Sequence, residues 1–223
     1  MNEESFYLDV FKHLPQVSGQ SFADIFHEFQ QLLHLYESAI EIVKTQLNIL
    51  NSEFNSRFRR NPIHSIDSRL KSPFSIYSKL QKKGLQLSAN SAYKNLLDIA
   101  GVRVTCYYID DIYNVAGLLT CHDEFTMMQV KDYIASPKPS GYRSYHAVIS
   151  VPVYLSEFQK RIPVEIQLRT IAMDFWASLE HQLKYKNAAA VPPDLSKQLR
   201  ECAVTIADTD RKMQNIFNKL NEL

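Results

Sequence analysis

The chain has 223 residues and a mass of 25.8 kDa, with 45% hydrophobic and 22% charged residues, the make-up of an ordinary globular chain rather than a disordered one. Its 25 Lys and Arg against 24 Asp and Glu leave a formal charge of +1, so overall charge points to no partner. No apolar run is long enough for a membrane span, no basic-then-apolar start marks a secretory signal, and the three cysteines form no CxxC pair, so a disulfide scaffold or zinc ribbon is excluded and a reducing cytoplasm is expected.

The first element is a long helix. Ser21 with Asp24 makes a capping-box-like start. Phe22, Phe26, Phe29 and Leu33 then open a run of alternating 4- and 3-residue spacings that continues through Tyr36, Ile40, Val43, Leu47 and Leu50 to Phe54. That is a heptad seam. Next, the pattern predicts a short strand over residues 66–71. Ser72-Pro73 gives an N-cap with proline at the first helical position, and Gly84 stands where that helix should end. A short helical stretch over 92–97 leads into a strand over 99–108. Asp110-Asp111 starts a helix to Leu119, with Ile112, Val115, Ala116 and Leu119 as its apolar face. Strands are expected over 125–130, 142–153 and 162–169, the last two near enough to pair as a hairpin. Thr170 then caps a helix to about residue 186. After Pro192-Pro193 a second seam runs through Leu195, Leu199, Cys202, Ile206, Thr209, Met213, Ile216 and Leu220. The order is that of an α/β (α+β) core with helical ends. It divides into a helical region over 1–60, a central domain over 61–187 and a C-terminal helix over 188–223. Both terminal helices are expected either to pack on the core or to build a subunit interface. Cys106 and Cys202 read as buried packing residues.

Five glycines, none closer to another than 16 positions, make the GxxxxGK[ST] and GxGxxG cradles impossible. Phosphates would have to be held by side chains. Between residues 68 and 97 there is no acid, whereas Arg69, Lys71, Lys79, Lys82, Lys83 and Lys94 are basic: a local anion site. Ser75, Lys79 and Lys82 fall at i, i+4 and i+7, on one helix face. In the last strand Ile162, Val164, Ile166 and Leu168 alternate with Pro163, Glu165, Gln167 and Arg169. Tyr142, Ser144 and His146 share a face of the strand before it. If the two pair, a cleft wall carrying Tyr, His, Glu, Gln and Arg results. Asp98, at a strand start, and Glu165 supply two hard oxygen ligands, enough for Mg²⁺ when substrate phosphates complete the shell. His122-Asp123 is an HD dipeptide without a helical His partner and reads as surface chemistry.

Four ordered stretches, RLKSPFSIYSKL (69–80), DIAGVRV (98–104), KPSGYRSYH (138–146) and VEIQLRTIAMDFWASLEH (164–181), resemble the synthetase domain of RelA/SpoT homologues. The resemblance covers roughly residues 60–186. The chain lacks room for that family's separate hydrolase domain and regulatory region, so it is similar to the small alarmone synthetases, of the RelP type. The resemblance implies a nucleotidyltransferase-like mixed sheet, a homotetramer, and transfer of the β,γ-pyrophosphate of ATP to the 3′-hydroxyl of GDP or GTP. It implies that Arg69 and Arg103 sandwich adenine, that Lys71, Ser75, Lys79 and Lys82 hold ATP phosphates, and that Asp98 and Glu165 bind Mg²⁺. Tyr142 would stack on guanine, Lys138 and His146 would meet the acceptor's phosphates, Gln167 would position the acceptor, and Asp174 would accept from guanine. Because stacking uses the ring, Tyr142→Phe is expected to be tolerated. The rival readings are another nucleotidyltransferase, which usually needs a Gly-Ser or Gly-Gly start absent here, and a non-catalytic RNA-binding module, which has no use for Asp98 and Glu165. Nucleic acid is not an expected partner.

Overall fold

The computed structural model of the protein describes residues 22–121, 124–186 and 192–222. Ser21, His122 and Asp123 lie outside the described residues. Strands β1 (Ile63–Leu70), β2 (Ala100–Cys106), β3 (Thr126–Asp132), β4 (Tyr145–Tyr154) and β5 (Gln159–Thr170) form one sheet of order β1-β2-β5-β4-β3. Only β2 and β5 are parallel neighbours; the other pairs are antiparallel, and β4–β5 is the expected hairpin. With helices α1 (Phe22–Phe58), α2 (Pro73–Lys82), α3 (Ala89–Asn95), α4 (Ile109–Thr120), α5 (Ile171–Lys186) and α6 (Pro193–Asn221), this is the expected mixed α/β architecture.

The period of two along each strand sorts the sheet into two faces. Val102, Val104, Ala147, Ile149, Val164, Ile166 and Leu168 are buried on one face. There α1 lies against β1, β2, β4 and β5, burying Phe29, Tyr36, Ile40, Val43, Leu47 and Leu50 from its seam. Leu47 is fully buried, so Leu47→Ala would cost about 2–5 kcal/mol through lost burial and the cavity left behind. Helix α1 ends where Arg59 turns left-handed (φ 53°). The adjacent Arg60 pairs with the fully buried Asp111, tying the end of α1 to the start of α4.

Local signals decide the remaining boundaries. The Ser72 hydroxyl accepts from the Ser75 amide at the start of α2, and Gly84 after its end has φ +64°. Thr170 Oγ1 accepts from the Met173 amide at the start of α5.

Three expectations need correction. Strand β4 begins at Tyr145, not Tyr142. Residues 138–142 are tied into a turn instead, with the Gly141 amide on the Lys138 carbonyl (2.8 Å), the Lys138 amide on the Tyr142 carbonyl (3.2 Å) and Gly141 at φ +91°. Ser144 accordingly does not face a cleft: it is fully buried, and its hydroxyl donates to the Leu168 carbonyl. Cys106 is buried, its thiol pushed up to about 12 by burial, but Cys202 is exposed. The reason lies in α6, which packs through Ala203, Ala207, Asp210 and Gln214 and leaves Leu195, Met213, Ile216 and Leu220 of the apolar seam in solvent. No helix among the described residues is long and apolar enough to cross a membrane.

Candidate active site

The sheet's other face is polar, and the register lines its residues up across the strands. Asp67, Arg103, Gln167 and His146 stand opposite one another on β1, β2, β5 and β4. The next row runs Arg69, Gly101, Glu165 and Val148. With Ala177, Ser178, Glu180 and His181 of α5, these rows enclose a cleft of about 850 Å³.

On the β1–β2 side, one carboxylate gathers the positive charge. Asp98 Oδ2 accepts from Lys71 Nζ (2.6 Å) and Lys79 Nζ (2.5 Å). Burial works to raise the Asp98 pKa, but these two ammonium groups outweigh it and hold the carboxyl below its ordinary value. Its other oxygen, Oδ1, is buried with no hydrogen-bond partner. Arg69 and Arg103 line the cleft beside it.

On the β5–β4 side the polar groups close into a ring. Gln167 Nε2 donates to Glu165 Oε2 (2.9 Å), and Arg169 Nη2 donates to Gln167 Oε1 (3.2 Å) and to the Tyr142 hydroxyl (2.6 Å). That hydroxyl also meets His146 Nε2 at 2.9 Å, and His146 Nδ1 lies 3.5 Å from Glu165 Oε1. The His146 contact, opposed by burial and aided by Gln167, lowers the Glu165 pKa. Asp174 Oδ1 accepts from Arg169 Nη1 (3.0 Å) and lies 3.6 Å from Arg103 Nη1, joining the two sides. Lys138 Nζ stands 4.6 and 4.8 Å from the ring centres of Tyr133 and Tyr142.

The structure thus brings Arg69, Lys71, Asp98, Arg103, Tyr142, Glu165 and Gln167 to the cleft wall, with Lys79, Lys138, His146 and Asp174 one contact behind. It does not bring in Ser75, whose hydroxyl is 2.9 Å from that of Ser72, or Lys82, which is exposed. Sequence reasoning put Arg169 on the wall without a role; its guanidinium is the hub of the ring. Asp67, Ser178 and His181 were missed, although Asp67 shares strand parity with Arg69, and Asp174, Ser178 and His181 fall at helical spacing. The Tyr142 hydroxyl holds two partners, so Tyr142→Phe is not the silent change that stacking alone implies.

Asp98 Oδ1 and Glu165 offer hard oxygen donors to one cleft, which suits a divalent cation whose shell is completed by phosphates. Among the described residues no group of three or more His, Cys, Asp or Glu side chains forms a self-sufficient metal site.

Fold and cleft together define a mixed α/β domain whose polar sheet face carries a cleft lined by arginine, lysine and carboxylate side chains. The profile of the family described as "Region found in RelA / SpoT proteins" matches residues 68–190. The chain is 42% identical over 197 residues, 88% of its own length and 94% of the relative's, to the GTP pyrophosphokinase YwaC of Bacillus subtilis (strain 168). It resembles the crystal structure of small alarmone synthetase 2 from Bacillus subtilis with a TM-score of 0.77 and 43% identity, covering 84% of this chain and 97% of that one. The structure of small alarmone synthetase 1 from the same organism, bound to its product pppGpp, is similar with a TM-score of 0.78 and 34% identity over 86% and 97% of the two chains. The chain belongs to the RelA/SpoT family, and among its members it matches small alarmone synthetases over nearly their whole length.

Proposed function

We infer that this chain is a GTP/GDP pyrophosphokinase. It transfers the β,γ-pyrophosphoryl group of ATP to the 3′-hydroxyl of GDP or GTP and releases AMP, and its product serves as a stress alarmone. The observation that carries the reading is one cleft with two carboxylates, Asp98 and Glu165, between a lysine cluster and a tyrosine-centred ring.

In this reading Arg69 and Arg103 flank the adenine. Lys71 and Lys79 leave Asp98 for the triphosphate, while Ser75 and Lys82 of the same helix as Lys79 lie off the cleft wall and are given no phosphate. Tyr142 stacks on guanine, Asp174 accepts from its N1–H and amino group, and Lys138 and His146 meet the acceptor's 5′-phosphates. Gln167 positions the ribose. Glu165, kept ionised by His146 and Gln167, takes the proton of the 3′-hydroxyl. The 3′-oxygen then forms a bond to the β-phosphorus as the bond from that phosphorus to the α,β-bridging oxygen breaks. Its electron pair leaves on AMP. Little else is asked of the protein than in-line placement and charge neutralisation. Mg²⁺, held by Asp98 and Glu165 with the substrate phosphates, supplies charge neutralisation on the transferred group when bound.

The exposed apolar seam of α6, with Leu195, Met213, Ile216 and Leu220, and the exposed Phe175, Leu179 and Leu183 of α5 support assembly of this chain with copies of itself as a homotetramer. The free thiols Cys106, Cys121 and Cys202 support work in the reducing cytoplasm. Incubation with ATP, GDP and Mg²⁺ followed by anion-exchange chromatography tests the activity. AMP in step with a guanine nucleotide carrying a 3′-pyrophosphate is expected; free pyrophosphate or absence of turnover would overturn the reading.

A further inference from the structure

Helix α6 begins at Pro193, beyond the stretch matched by the family profile, and no role has been given to its buried face. That face is built from Ala203, Ala207, Asp210 and Gln214, spaced as one side of a helix. It touches the acceptor loop at several points. A Cβ on Gly141 would come within 2.5 Å of the Ala203 Cβ, so the turn before Tyr142 rests on α6 with no room for a side chain between them. The Tyr142 ring packs on a small cluster of Trp176, Ala177 and Ala203, with Ile206 alongside. Arg143, the next residue, has a buried Nε without a hydrogen-bond partner, and its charge senses Asp208, Asp210 and Arg211 of α6.

The same helix grips the strand behind the ring. Asp210, 7% exposed, accepts from Thr170 Oγ1 at 2.7 Å. Thr170 follows Arg169, whose guanidinium holds the Tyr142 hydroxyl, and the same Thr170 oxygen starts α5. Trp176 Nε1, on α5, donates to the Leu199 carbonyl of α6. The far end is anchored independently, by the Asp110 amide on Gln214 Oε1 and by Phe217 stacked on Tyr108 (4.1 Å). On the β1–β2 side, Lys71 and Lys79 are held by Asp98 of the same side, not by α6.

We propose that the inner face of α6 is the back wall of the guanine-nucleotide pocket, with Ala203 and Asp210 as positioning residues that set the Tyr142 loop and the end of β5 for the acceptor alone. This deepens the reading above and rests on its placement of the acceptor at Tyr142. The seating is tight at Ala203, so added volume must displace the loop; loss of the Asp210 carboxylate leaves the Thr170 hydroxyl without its buried acceptor.

The test uses the full chain with Ala203→Val, Asp210→Ala and Asp210→Asn. Trp176, the one tryptophan of the chain, packs beside Tyr142, so its fluorescence reads GDP binding without turnover. Initial rates with GDP and ATP varied separately supply the two KM values. Ala203→Val and Asp210→Ala should weaken GDP binding and raise the acceptor KM by about tenfold, the loss expected of one buried hydrogen bond or its packing equivalent. The KM for ATP should stay within about twofold, because no donor-side group is touched. Asp210→Asn, which keeps an acceptor for Thr170, should recover most of the loss. Unchanged GDP titrations would overturn the proposal. So would equal rises in both KM values accompanied by a lower Tm, the mark of general loosening, or failure of Asp210→Asn to recover binding. AMP formation by the unsubstituted enzyme is read separately: its absence, with GDP titrations still weakened in the variants, would strike the pyrophosphokinase reading and leave the pocket wall standing.

Discussion

The two sides of the cleft solve opposite problems. On the β1–β2 side two charged groups converge on one carboxylate oxygen, Lys71 and Lys79 on Asp98 Oδ2. On the β5–β4 side Glu165, Gln167, Arg169, Tyr142 and His146 hold each other in a closed circuit. A triphosphate carries more negative charge than a carboxylate and can draw flexible lysines away from it. A purine stacked on a ring gains little by moving that ring, so its platform is best fixed in advance. In the proposed reading, the β1–β2 side is the donor side and is free to rearrange, and the β5–β4 side is the acceptor side and stays still.

The largest break in that contrast should come where the sides meet. Glu165→Gln keeps the shape and the Gln167 partner but removes the base and the negative charge. Turnover should fall by about 10²–10⁴-fold, the usual range for a positioned proton acceptor, while the circular dichroism spectrum is unchanged. Asp98→Asn should lower turnover comparably and also free Lys71 and Lys79. Near-normal kcat in either variant would remove that residue from the reaction. Next in size, Tyr142→Ala should raise the acceptor KM by about 5- to 150-fold, the range for lost base–aromatic stacking of about 1–3 kcal/mol, with the ATP KM unmoved. Tyr142→Phe should fall between the two, because Arg169 and His146 lose their shared hydroxyl.

A pH series sharpens the comparison with a smaller effect. Asp98 and Glu165 both have lowered pKa values, the first through two lysines, the second through His146. A carboxylate lowered on folding contributes stability above its unfolded pKa and loses it as pH falls through the folded one. Both carboxylates should therefore stay charged through the ordinary carboxylate range of about 4 and lose their charge only below it. In Lys71→Met with Lys79→Met, burial alone acts on Asp98 and raises its pKa, so acidification neutralises an unpaired buried carboxylate and the acid-side loss of Tm should be smaller than in the unsubstituted chain. Acid titrations that coincide would contradict the ion-pair account. The smallest effect on the single chain should come from Met213→Glu with Ile216→Glu. Both side chains are exposed, so the melting curve of the subunit should barely change, yet light scattering should report a fall from the assembly to 25.8 kDa. A monomer before substitution would contradict the assembly.

Most of the β1–β2 side of the cleft was legible because charge and local spacing announce it: a thirty-residue stretch without acids, a Ser-Pro helix start and an acid before a strand. Strand parity put Glu165, Gln167 and Arg169 on one wall for the same reason. The ring was not legible, since its closure depends on β4 pairing with β5 in one register, His146 opposite Gln167, and on Tyr142 folding back from a turn. The heptad rule found α6 but assigned its apolar seam no definite partner. The in-chain contact is made instead by alanines and by polar residues such as Asp210, which apolar periodicity passes over.

The central claim is that an intact pyrophosphoryl group crosses from one side of the cleft to the other. ATP carrying a radiolabel on its β-phosphate, incubated with the enzyme, GDP and Mg²⁺, tests it most directly. All released label should appear in the guanine nucleotide, with unlabelled AMP formed in equal amount. Label in free pyrophosphate, in ADP or in orthophosphate would contradict the account.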